Sequence, residues 1–472
     1  MTPEEFRKAG HKLVDWIADY RAGVESRRVV AAAQPGDITA QLPPNPPIKG
    51  ESFDAIYQDI DRVVMPGITN WQHPRFFGYF PSNALLAGVL GDFLSTGLGI
   101  IGLAWQSSPA LTEVEEVTTG WMRQMLGLSD RWSGVIQDTA STSTLIALLC
   151  AREKTTNYGL ARGGLQAEAA PLIVYTTAHS HSSVEKAALL AGFGRDHLRM
   201  VPHDTAFAMR PYALDALIEA DLAAGHRPCA VVATTGTTTS TALDPLAAIA
   251  RITRQRGLWL HVDAAMAGSA MILPECRFMW DGVEDADSLI VNAHKWLGAV
   301  FDCSLYFVRD AEHLVRVMST TPSYLQSAAD GQVKNYREWG LPLGRRFRAL
   351  KLWFLIREQG VEGLQARLRR DLDNAAWLAA EVPKSSGWKV LAPVSLQTVC
   401  VRHQPAGMID DDLDRPTQAW AARLNQSGAA YVTPAILDGR WMVRVSIGAE
   451  LTERRHVEEL WAMMQETVAT NL

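Results

Sequence analysis

The sequence predicts an α/β protein with a mostly parallel sheet, followed by a smaller α+β region. From about residue 90 to about residue 310, short apolar runs alternate with segments of helical periodicity, a pattern typical of strands joined through helices. Clear examples of these runs are residues 134–137, 172–175, 230–233 and 258–262. Ligands of such folds bind beyond the carboxyl ends of the strands. The residues that follow each run are therefore the candidates for a site.

The N-terminal segment is predicted to be helical. Residues 3–24 have helical periodicity, with Phe6 and Trp16 on the same side. Thr2 and Glu5 have the spacing of a capping box, which places the start of the helix at the next residue after Thr2. The proline-rich segment 41–47 can form neither a helix nor a central strand. We interpret it as a linker or a wrapping arm.

The C-terminal part has a different pattern. A long helical region follows Gly344 and runs toward Ala380, and strand-like runs at 396–401 and 441–445 lie between further helices. This arrangement predicts a smaller α+β domain. The predicted domains are residues 1–85 (N-terminal helices), residues 86–355 (the large α/β domain) and residues 356–472 (the small domain).

Composition excludes several classes of protein. The chain has 472 residues, of which 47% are hydrophobic and 20% charged, as in an ordinary globular protein. The formal net charge of −6 gives no reason to expect a nucleic-acid partner. The five cysteines form no CxxC pair, which favours reduced thiols and a cytoplasmic location. Neither a signal-peptide pattern at the N-terminus nor an apolar run of membrane-spanning length is present, so we expect no membrane association.

Two of the apolar runs end in side chains of complementary chemistry. Lys295 follows the run that begins at Ser288, and Asp263 follows residues 258–262. A lysine in a partly dry site can lose its proton and form a Schiff base, and a carboxylate can keep the ring nitrogen of pyridoxal phosphate protonated. Taken singly, such a lysine is usually solvated and such an aspartate is often a helix cap. The pair therefore indicates a cofactor only if further contacts accompany it.

Three polar clusters supply candidates for such contacts. The hydroxyl-rich residues 138–144 precede a predicted helix and suit either a phosphate or a plain helix cap. His179 and His181 share a face of an extended segment, but no third ligand has a sensible spacing, so we predict no metal site. One of these imidazoles could stack on a ring, or both could be capping or core residues. The threonine-rich residues 234–239 are either hydroxyl donors near a ring or a polar loop.

Together these segments resemble the pyridoxal-phosphate group II decarboxylases, in particular the aromatic-L-amino-acid (DOPA) decarboxylases and their bacterial branch. The resemblance runs from Phe6 to about Leu460. The motifs that carry it are Pro66-Gly67 with Trp71, Tyr79-Phe80-Pro81, Gly134-Val135-Ile136-Gln137, His181-Ser182-Ser183-Val184, His261-Val262-Asp263-Ala264-Ala265, Asn292-Ala293-His294-Lys295-Trp296 and Pro342-Leu343-Gly344-Arg345-Arg346-Phe347.

The resemblance implies the type I fold of pyridoxal-phosphate enzymes, with a seven-stranded, mostly parallel sheet flanked by helices, and pyridoxal 5′-phosphate as cofactor. By this resemblance Lys295 would carry the cofactor, Asp263 would pair with its ring nitrogen, His181 would stack on the ring and Ala265 would pack on the opposite face. The phosphate would be held by Ala140, Ser141 and Asn292, with His294 alongside. Thr238 would lie near the ring and the lysine.

The resemblance also implies a reaction, the decarboxylation of aromatic L-amino acids, with L-DOPA first and 5-hydroxytryptophan next. Tyr324 matches the tyrosine of a mobile catalytic loop that would protonate Cα. Relatives that produce aldehydes tend to lack this tyrosine or the stacking histidine, and this chain has both Tyr324 and His181. The alternatives are an aromatic aldehyde synthase and a decarboxylase that prefers tryptophan, tyrosine or histidine. Less favoured are an aminotransferase and a non-enzymatic binding protein that kept the fold.

The predicted substrate pocket is a property of a homodimer. Its residues would be Trp71, Phe80, Pro81, Ile101, Leu103 and Gly344. The resemblance implies that Ile101 and Leu103 reach across from the partner subunit and that the glycine at 344 leaves room for a large ring, where relatives with serine prefer histidine or tyrosine. Two positions depart from the family pattern: Asp138 replaces a glycine beside the phosphate turn, and Leu103 replaces an aromatic residue of the animal enzymes.

Overall fold

The structure, a computed structural model, describes residues 1–320, 331–408 and 410–469. The chain divides into two compact units. The first unit contains Met1–Pro81, Asp371–Leu391 and Val399–Leu472, and the second contains Ser82–Arg370 and Ala392–Thr398. The three-domain division at residues 85 and 355 stays a prediction.

The helices agree with the predicted periodicity. They are α1 (Pro3–Gly23), α2 (Phe53–Asp59), α3 (Leu86–Leu98), α4 (Pro109–Met125), α5 (Ala140–Thr155), α6 (Ser183–Leu190), α7 (Pro211–Ala223), α8 (Leu246–Arg256), α9 (Ala311–Met318), α10 (Arg348–Glu381), α11 (Asp410–Ser427) and α12 (Arg454–Ala469). The capping box predicted at Thr2 and Glu5 is present, with both reciprocal hydrogen bonds. Helix α10 is interrupted at Gly360, whose φ of 63° no helix accommodates.

The strands form two sheets. They are β1 (Ser133–Gln137), β2 (Leu172–Thr176), β3 (Leu198–Met200), β4 (Arg227–Thr234), β5 (Trp259–Asp263), β6 (Ser288–Asn292), β7 (Ser304–Val308), β8 (Trp388–Val390), β9 (Thr398–His403), β10 (Thr433–Leu437) and β11 (Arg440–Ser446). The second unit contains a seven-stranded sheet with the order β1-β7-β6-β5-β4-β2-β3. The other sheet has four strands in the order β10-β11-β9-β8.

The seven-stranded sheet is mostly parallel, which confirms the predicted fold class. Strand β7 is antiparallel to both of its neighbours, and the pairs from β3 to β6 are parallel. Every residue of β2, β5, β6 and β7 is buried, because helices cover both faces of such a sheet. This burial explains why the strands were recognisable as continuous apolar runs.

The core of the second unit lies between this sheet and helix α5, whose apolar side chains pack on it together with those of α6. Within the described residues, no helix is both long enough and apolar enough to cross a membrane. All five cysteines are buried free thiols.

Candidate active site

The candidate residues gather at one edge of the seven-stranded sheet. Strands β1, β2, β4, β5 and β6 run in the same direction, so their carboxyl ends meet at this edge. The phosphate candidates follow β1, His181 follows β2, Thr238 follows β4, and Lys295 follows β6. The fold therefore brings together residues that are more than 150 positions apart in the sequence, at the place where ligands of open α/β sheets bind.

Asp263 is the last residue of β5, not a residue beyond it as the sequence pattern suggested. The strand is one residue longer than its apolar run because Asp263 pairs with Thr234 of β4 and Ile290 of β6. Its side chain is only 5% exposed, and its Oδ1 accepts a hydrogen bond of 3.0 Å from the backbone N–H of Ala265. A carboxylate held in this way has a fixed direction and stays available to a cationic partner.

Lys295 lies in a short π-helical turn, Ala293–Leu297, that directly follows β6. Its own backbone is non-helical, with φ −94° and ψ −114°, and its side chain is half-buried. The residues on either side, His294 and Trp296, are buried, so the turn is anchored around the lysine. The lysine amine is thus placed in a partly desolvated position, as a Schiff-base lysine requires.

The electrostatics of His181 connect it to both of these residues. The ring is exposed on one side, yet partial desolvation lowers its pKa, the Lys295 ammonium lowers it further and the Asp263 carboxylate opposes the shift. Its Nδ1 accepts a hydrogen bond of 3.1 Å from the backbone N–H of Ser183 and lies 2.7 Å from the Ser183 hydroxyl oxygen. The structure therefore places Asp263 and Lys295 each within electrostatic reach of His181.

His294 is buried beside the lysine. Burial, together with the charge of Lys295, lowers the pKa of His294 to about 4, so its ring is neutral at physiological pH. Its Nδ1 accepts a hydrogen bond of 2.8 Å from the backbone N–H of Cys303, and the Phe301 ring packs edge-on against it with 4.9 Å between centroids. A neutral ring with this contact carries its proton on Nε2.

The predicted phosphate turn is the first turn of α5. Thr139 is the N-cap, and its hydroxyl accepts from Thr142 N at 3.5 Å. The helix starts at Ala140, whereas the sequence pattern placed the helical run from Leu145, because the Thr139 cap allows the hydroxyl-rich residues to be helical. The N–H groups of the first turn lack intrahelical acceptors and suit an anion. Asp138 accepts from the N–H of Thr139 at 2.6 Å.

Thr238 lies in a tight loop that follows β4. The loop is closed by Gly236 N and Thr237 N, which both donate to Ala242 O at 3.0 Å. Asp244, 2% exposed, accepts from Thr234 N and from Met209 N at 2.7 Å each, and burial raises its pKa to about 6. Asp244 thus fixes the loop against the strand end. It was not recognised in the sequence, since a carboxylate that binds only backbone N–H groups has no motif.

Part of the predicted substrate pocket lies together in the second unit. A Cβ on Gly344 would stand 3.3 Å from Ile101 Cγ2 and 4.0 Å from Leu103 Cδ2 of the same chain. Gly344 and Ile101 are both exposed on this unit. Whether these residues serve the site of their own chain or that of a partner stays a prediction.

The other three predicted pocket residues belong to the first unit. There Trp71 stacks on Tyr79, with 5.5 Å between ring centroids, and the Arg444 guanidinium lies 4.7 Å from the centroid of Phe80. Pro81 directly follows Phe80 and is buried. The role of Trp71, Phe80 and Pro81 in substrate binding stays a prediction. Tyr324 lies outside the described residues.

The residues at the edge of the sheet fit pyridoxal phosphate. A phosphate needs a helix N-terminus with hydroxyls, and the first turn of α5 is one. A pyridinium nitrogen needs a fixed carboxylate, and an aldehyde needs a partly buried amine; both are present. The Oδ1 of Asn292 and the Oγ1 of Thr235 are buried and have no hydrogen-bond partner in the described part of the chain. Buried polar atoms of this kind are costly unless a ligand or water pairs with them. Asn292 is tied to Ala265 by a hydrogen bond of 2.9 Å between their backbones.

Comparisons with known proteins agree with this geometry. Residues 35–404 match the pyridoxal-dependent decarboxylase conserved domain. The chain is 40% identical to the aromatic-L-amino-acid decarboxylase of Bos taurus over 100% of this chain and 98% of that protein. It is 39% identical to the phenylacetaldehyde synthase of Arabidopsis thaliana, over 99% and 96%. The crystal structure of Oryza sativa TDC with PLP and tryptamine matches with a TM-score of 0.96, at 35% identity over 100% of this chain and 99% of that one.

Proposed function

Because the chain belongs to the pyridoxal-dependent decarboxylase family, we propose that it removes the carboxyl group of aromatic L-amino acids, with L-DOPA preferred and 5-hydroxytryptophan next. The chain is a carbon–carbon lyase by family, and its cofactor is pyridoxal 5′-phosphate. The observation that carries the proposal is the convergence of Lys295, Asp263 and His181 at one edge of the sheet. The choice of an aromatic substrate rests on the similarity to the bovine aromatic-L-amino-acid decarboxylase.

Each residue at this edge has a distinct task in the proposed reaction. Bound pyridoxal phosphate supplies the electron sink into which the Cα–carboxylate bond breaks. Lys295 Nζ would hold the cofactor covalently at its aldehyde carbon. The Asp263 carboxylate, oriented by Ala265 N, would keep the proton on the ring nitrogen. His181 would cover one ring face and Ala265 the other, while the first turn of α5 would hold the phosphate with Asn292 and His294.

A proton must be delivered to Cα after carbon dioxide leaves. We assign this step to Tyr324, on its sequence match to the family's loop tyrosine. If Tyr324 is the donor, Tyr324→Phe leaves Cα unprotonated long enough for oxygen to react, and product should move from amine to aldehyde. The ratio of the two products, measured by chromatography alongside ammonia and peroxide, checks this assignment. An unchanged amine yield would show that another group delivers the proton.

An aldehyde synthase is the second candidate function. It is favoured by the 39% identity to a phenylacetaldehyde synthase, which nearly equals the 40% identity to the bovine decarboxylase. The two functions differ in products, since an aldehyde synthase consumes oxygen and releases ammonia. The presence of both Tyr324 and His181 supports the decarboxylase.

We also propose that the active form is a homodimer. Helix α3 carries a row of large apolar side chains that are 45–52% exposed, namely Leu86, Leu90, Phe93, Leu94 and Leu98. Exposed apolar residues at i, i+4, i+8 and i+12 form a continuous stripe on a helix, and such a stripe marks a contact surface. A second copy of the chain is the proposed partner, because the family resemblance places Ile101, three residues beyond α3, at the neighbouring active site.

The test of the function is a substrate panel with purified protein and pyridoxal phosphate. Carbon dioxide, amine and aldehyde are measured for L-DOPA, 5-hydroxytryptophan, tryptophan, tyrosine, histidine and glutamate. We expect amine and carbon dioxide in equal amounts and the highest kcat/KM for L-DOPA. Release of aldehyde in place of amine would favour the second candidate, and turnover of glutamate alone would contradict both.

The essential lysine is tested with the same assay. We expect Lys295→Ala to abolish turnover and the yellow absorption of the bound cofactor, since no other described candidate residue can hold it covalently. Lys186→Ala, on the exposed side of α6, is the matched control and should retain both. A Lys295→Ala protein that released amine at the normal rate would end the proposal.

A further inference from the structure

A buried ion pair occupies the free edge of the seven-stranded sheet. Strand β1 is the edge strand, so one side of its backbone has no neighbouring strand. On that side the N–H of Ile136 donates to Glu115 Oε1 at 2.8 Å, and the C=O of Ile136 accepts from Arg345 Nη2 at 2.8 Å. Arg345 Nη2 also donates to Glu115 Oε1 at 2.6 Å. The two side chains thus replace the missing strand at Ile136.

The pair is almost fully removed from solvent. The side chain of Glu115 is 0% exposed and that of Arg345 is 5% exposed. Within the described residues, Glu115 Oε2 and Arg345 Nη1 have no hydrogen-bond partner. The Arg345 guanidinium also lies 4.9 Å from the centroid of the Tyr336 ring, but its only ion pair within the described residues is with Glu115. A change in either residue therefore leaves a buried charge without an ionic partner.

One end of the pair is connected to the predicted ring-binding residues. The backbone oxygen of Arg345 accepts a hydrogen bond of 2.8 Å from Gly102 N. This contact holds Gly102, between Ile101 and Leu103, against the segment that carries Gly344. The Ser107 hydroxyl closes the same loop, since it accepts from the N–H of Leu103 at 3.1 Å and donates to the C=O of Ala104 at 2.7 Å, with the C=O of Ile101 at 3.2 Å.

The other end is connected to the phosphate turn. Ile136 is followed by Gln137, the last residue of β1, and the N-cap of α5 comes two residues later. Gln137 Nε2 donates to the backbone oxygen of Trp339 at 2.8 Å. The segment from Trp339 to Arg345 therefore has two anchor points on the strand that leads into the phosphate turn.

We propose that Glu115 and Arg345 are positioning residues that fix the segments carrying the ring-binding residues Ile101, Leu103 and Gly344 to the strand that leads into the phosphate-binding turn of the same chain. In the proposed dimer, Ile101 and Leu103 of each chain then serve the partner's site. The proposal rests on the proposed function, because it takes these three residues to contact the substrate ring. Neither Glu115 nor Arg345 touches substrate or cofactor in this role. Disturbing the pair changes two properties at once: the affinity for pyridoxal phosphate and the discrimination between substrate rings.

The test compares three substitutions with a neighbouring control. Arg345→Lys keeps the charge, but a single ammonium cannot reproduce the planar fork that bridges Glu115 and Ile136. Glu115→Gln keeps the shape and removes the charge. Ser107→Ala disturbs the ring-binding loop alone. Arg346→Lys is the control, because Arg346 is exposed and pairs at 3.4 Å with Asp92 on the surface.

Three quantities are measured for each purified protein, as holoenzyme and in its apo form. The first is the dissociation constant of pyridoxal phosphate, from an absorbance titration. The others are the ratio of kcat/KM for 5-hydroxytryptophan to that for L-DOPA, and the thermal midpoint. We expect Arg345→Lys and Glu115→Gln to weaken cofactor binding and to change the ratio, each by about tenfold, as small misplacements of a site do. Ser107→Ala should change the ratio and leave the cofactor constant alone. Arg346→Lys should change neither.

The outcomes separate this proposal from the proposed function. A uniform loss for both substrates with an unchanged ratio would reduce the pair to a structural role and overturn the proposal, as would an unchanged cofactor constant. If Arg345→Lys fails to fold, Glu115→Gln and Ser107→Ala decide by the same criteria. If the wild-type protein decarboxylates no aromatic amino acid, the proposed function fails by itself, while the cofactor constant still reports on the link to the phosphate turn.

Discussion

Backbone N–H groups decide the tautomer of two histidines at the candidate site. The amide of Ser183 donates to His181 Nδ1, and the amide of Cys303 donates to His294 Nδ1. A backbone N–H can only donate, so both Nδ1 atoms must be acceptors and both neutral rings carry their proton on Nε2. The sequence identified both histidines. It could not identify Ser183 or Cys303 as their partners, because any residue other than proline supplies a backbone N–H.

Three buried neutral histidines predict a loss of stability in mild acid. Burial lowers the pKa of His73, His261 and His294 to about 4 each. Because these folded-state pKa values lie below the unfolded value, the stabilisation is complete above pH 6.5 and is lost as the pH falls toward 4. By pH 5.5 each histidine is expected to reduce the free energy of unfolding by about 1 kcal/mol. Urea unfolding at pH 7.5 and 5.5 measures the difference.

The same experiment has a pair of informative variants. His261→Asn should reduce the pH-dependent part by about 1 kcal/mol, the contribution expected of that ring. His11→Asn, on the exposed side of α1, is the control for replacing a surface histidine. Equal stability of the wild type at both pH values would contradict the assignment of neutral rings.

Gly344 predicts a change in substrate discrimination. A Cβ at this position would stand 3.3 Å from Ile101 Cγ2, closer than most such contacts, and a serine hydroxyl would take further room. We expect Gly344→Ser to lower kcat/KM for 5-hydroxytryptophan about tenfold relative to tyrosine, because the larger ring needs the space. Gly120→Ser is the control, since no atom other than the surrounding backbone of its own helix lies within 4 Å of the Cβ it would add. Equal losses for both substrates would refute the steric explanation.

At the scale of elements, the strands were predictable and the order of the sheet was not. The apolar runs at β2, β4, β5 and β6 are visible in the sequence because both faces of these strands are buried. The pairing of β1 with β7 joins residues such as Gly134 and Phe307, and no local pattern reports it. The position of Asp263 inside β5 was missed for a related reason, since pairing with two neighbours extends the strand past its apolar residues.

The start of α5 gives a prediction about cofactor affinity. Thr139 caps the helix whose first turn we assign to the phosphate. Loss of such a cap costs about 1 kcal/mol, and if the whole cost fell on the phosphate site the dissociation constant would rise about fivefold. We expect Thr139→Ala to weaken pyridoxal phosphate by this factor in a titration of the apoprotein, and Thr139→Ser to bind normally. Full affinity in Thr139→Ala would place the phosphate elsewhere.

For the whole molecule, the sequence predicts a dimer, which the structure of a single chain does not contain. The resemblance implies a dimer in which Ile101 and Leu103 serve the partner's site, and the described chain is consistent with a surface for it in the exposed stripe of α3. Lys295 and Asp263 lie together in the second unit, whereas Ile101 and Gly344 are exposed on it. Hydrophobic patterning cannot distinguish a stripe that packs in its own chain from one that packs in another. The arrangement in the dimer therefore needs its own experiment.

Hybrid dimers provide that experiment. One chain carries Lys295→Ala and the other Ile101→Asp, and the hybrid is purified through two different tags. If Ile101 acts in the partner's site, the site with the intact lysine receives its intact Ile101 from the Lys295→Ala chain, and the hybrid should have about half the activity of the wild-type dimer. Both parent homodimers should be nearly inactive, because every site lacks either the lysine or an apolar ring contact. If Ile101 acts in its own chain, both sites of the hybrid are defective and the hybrid is inactive.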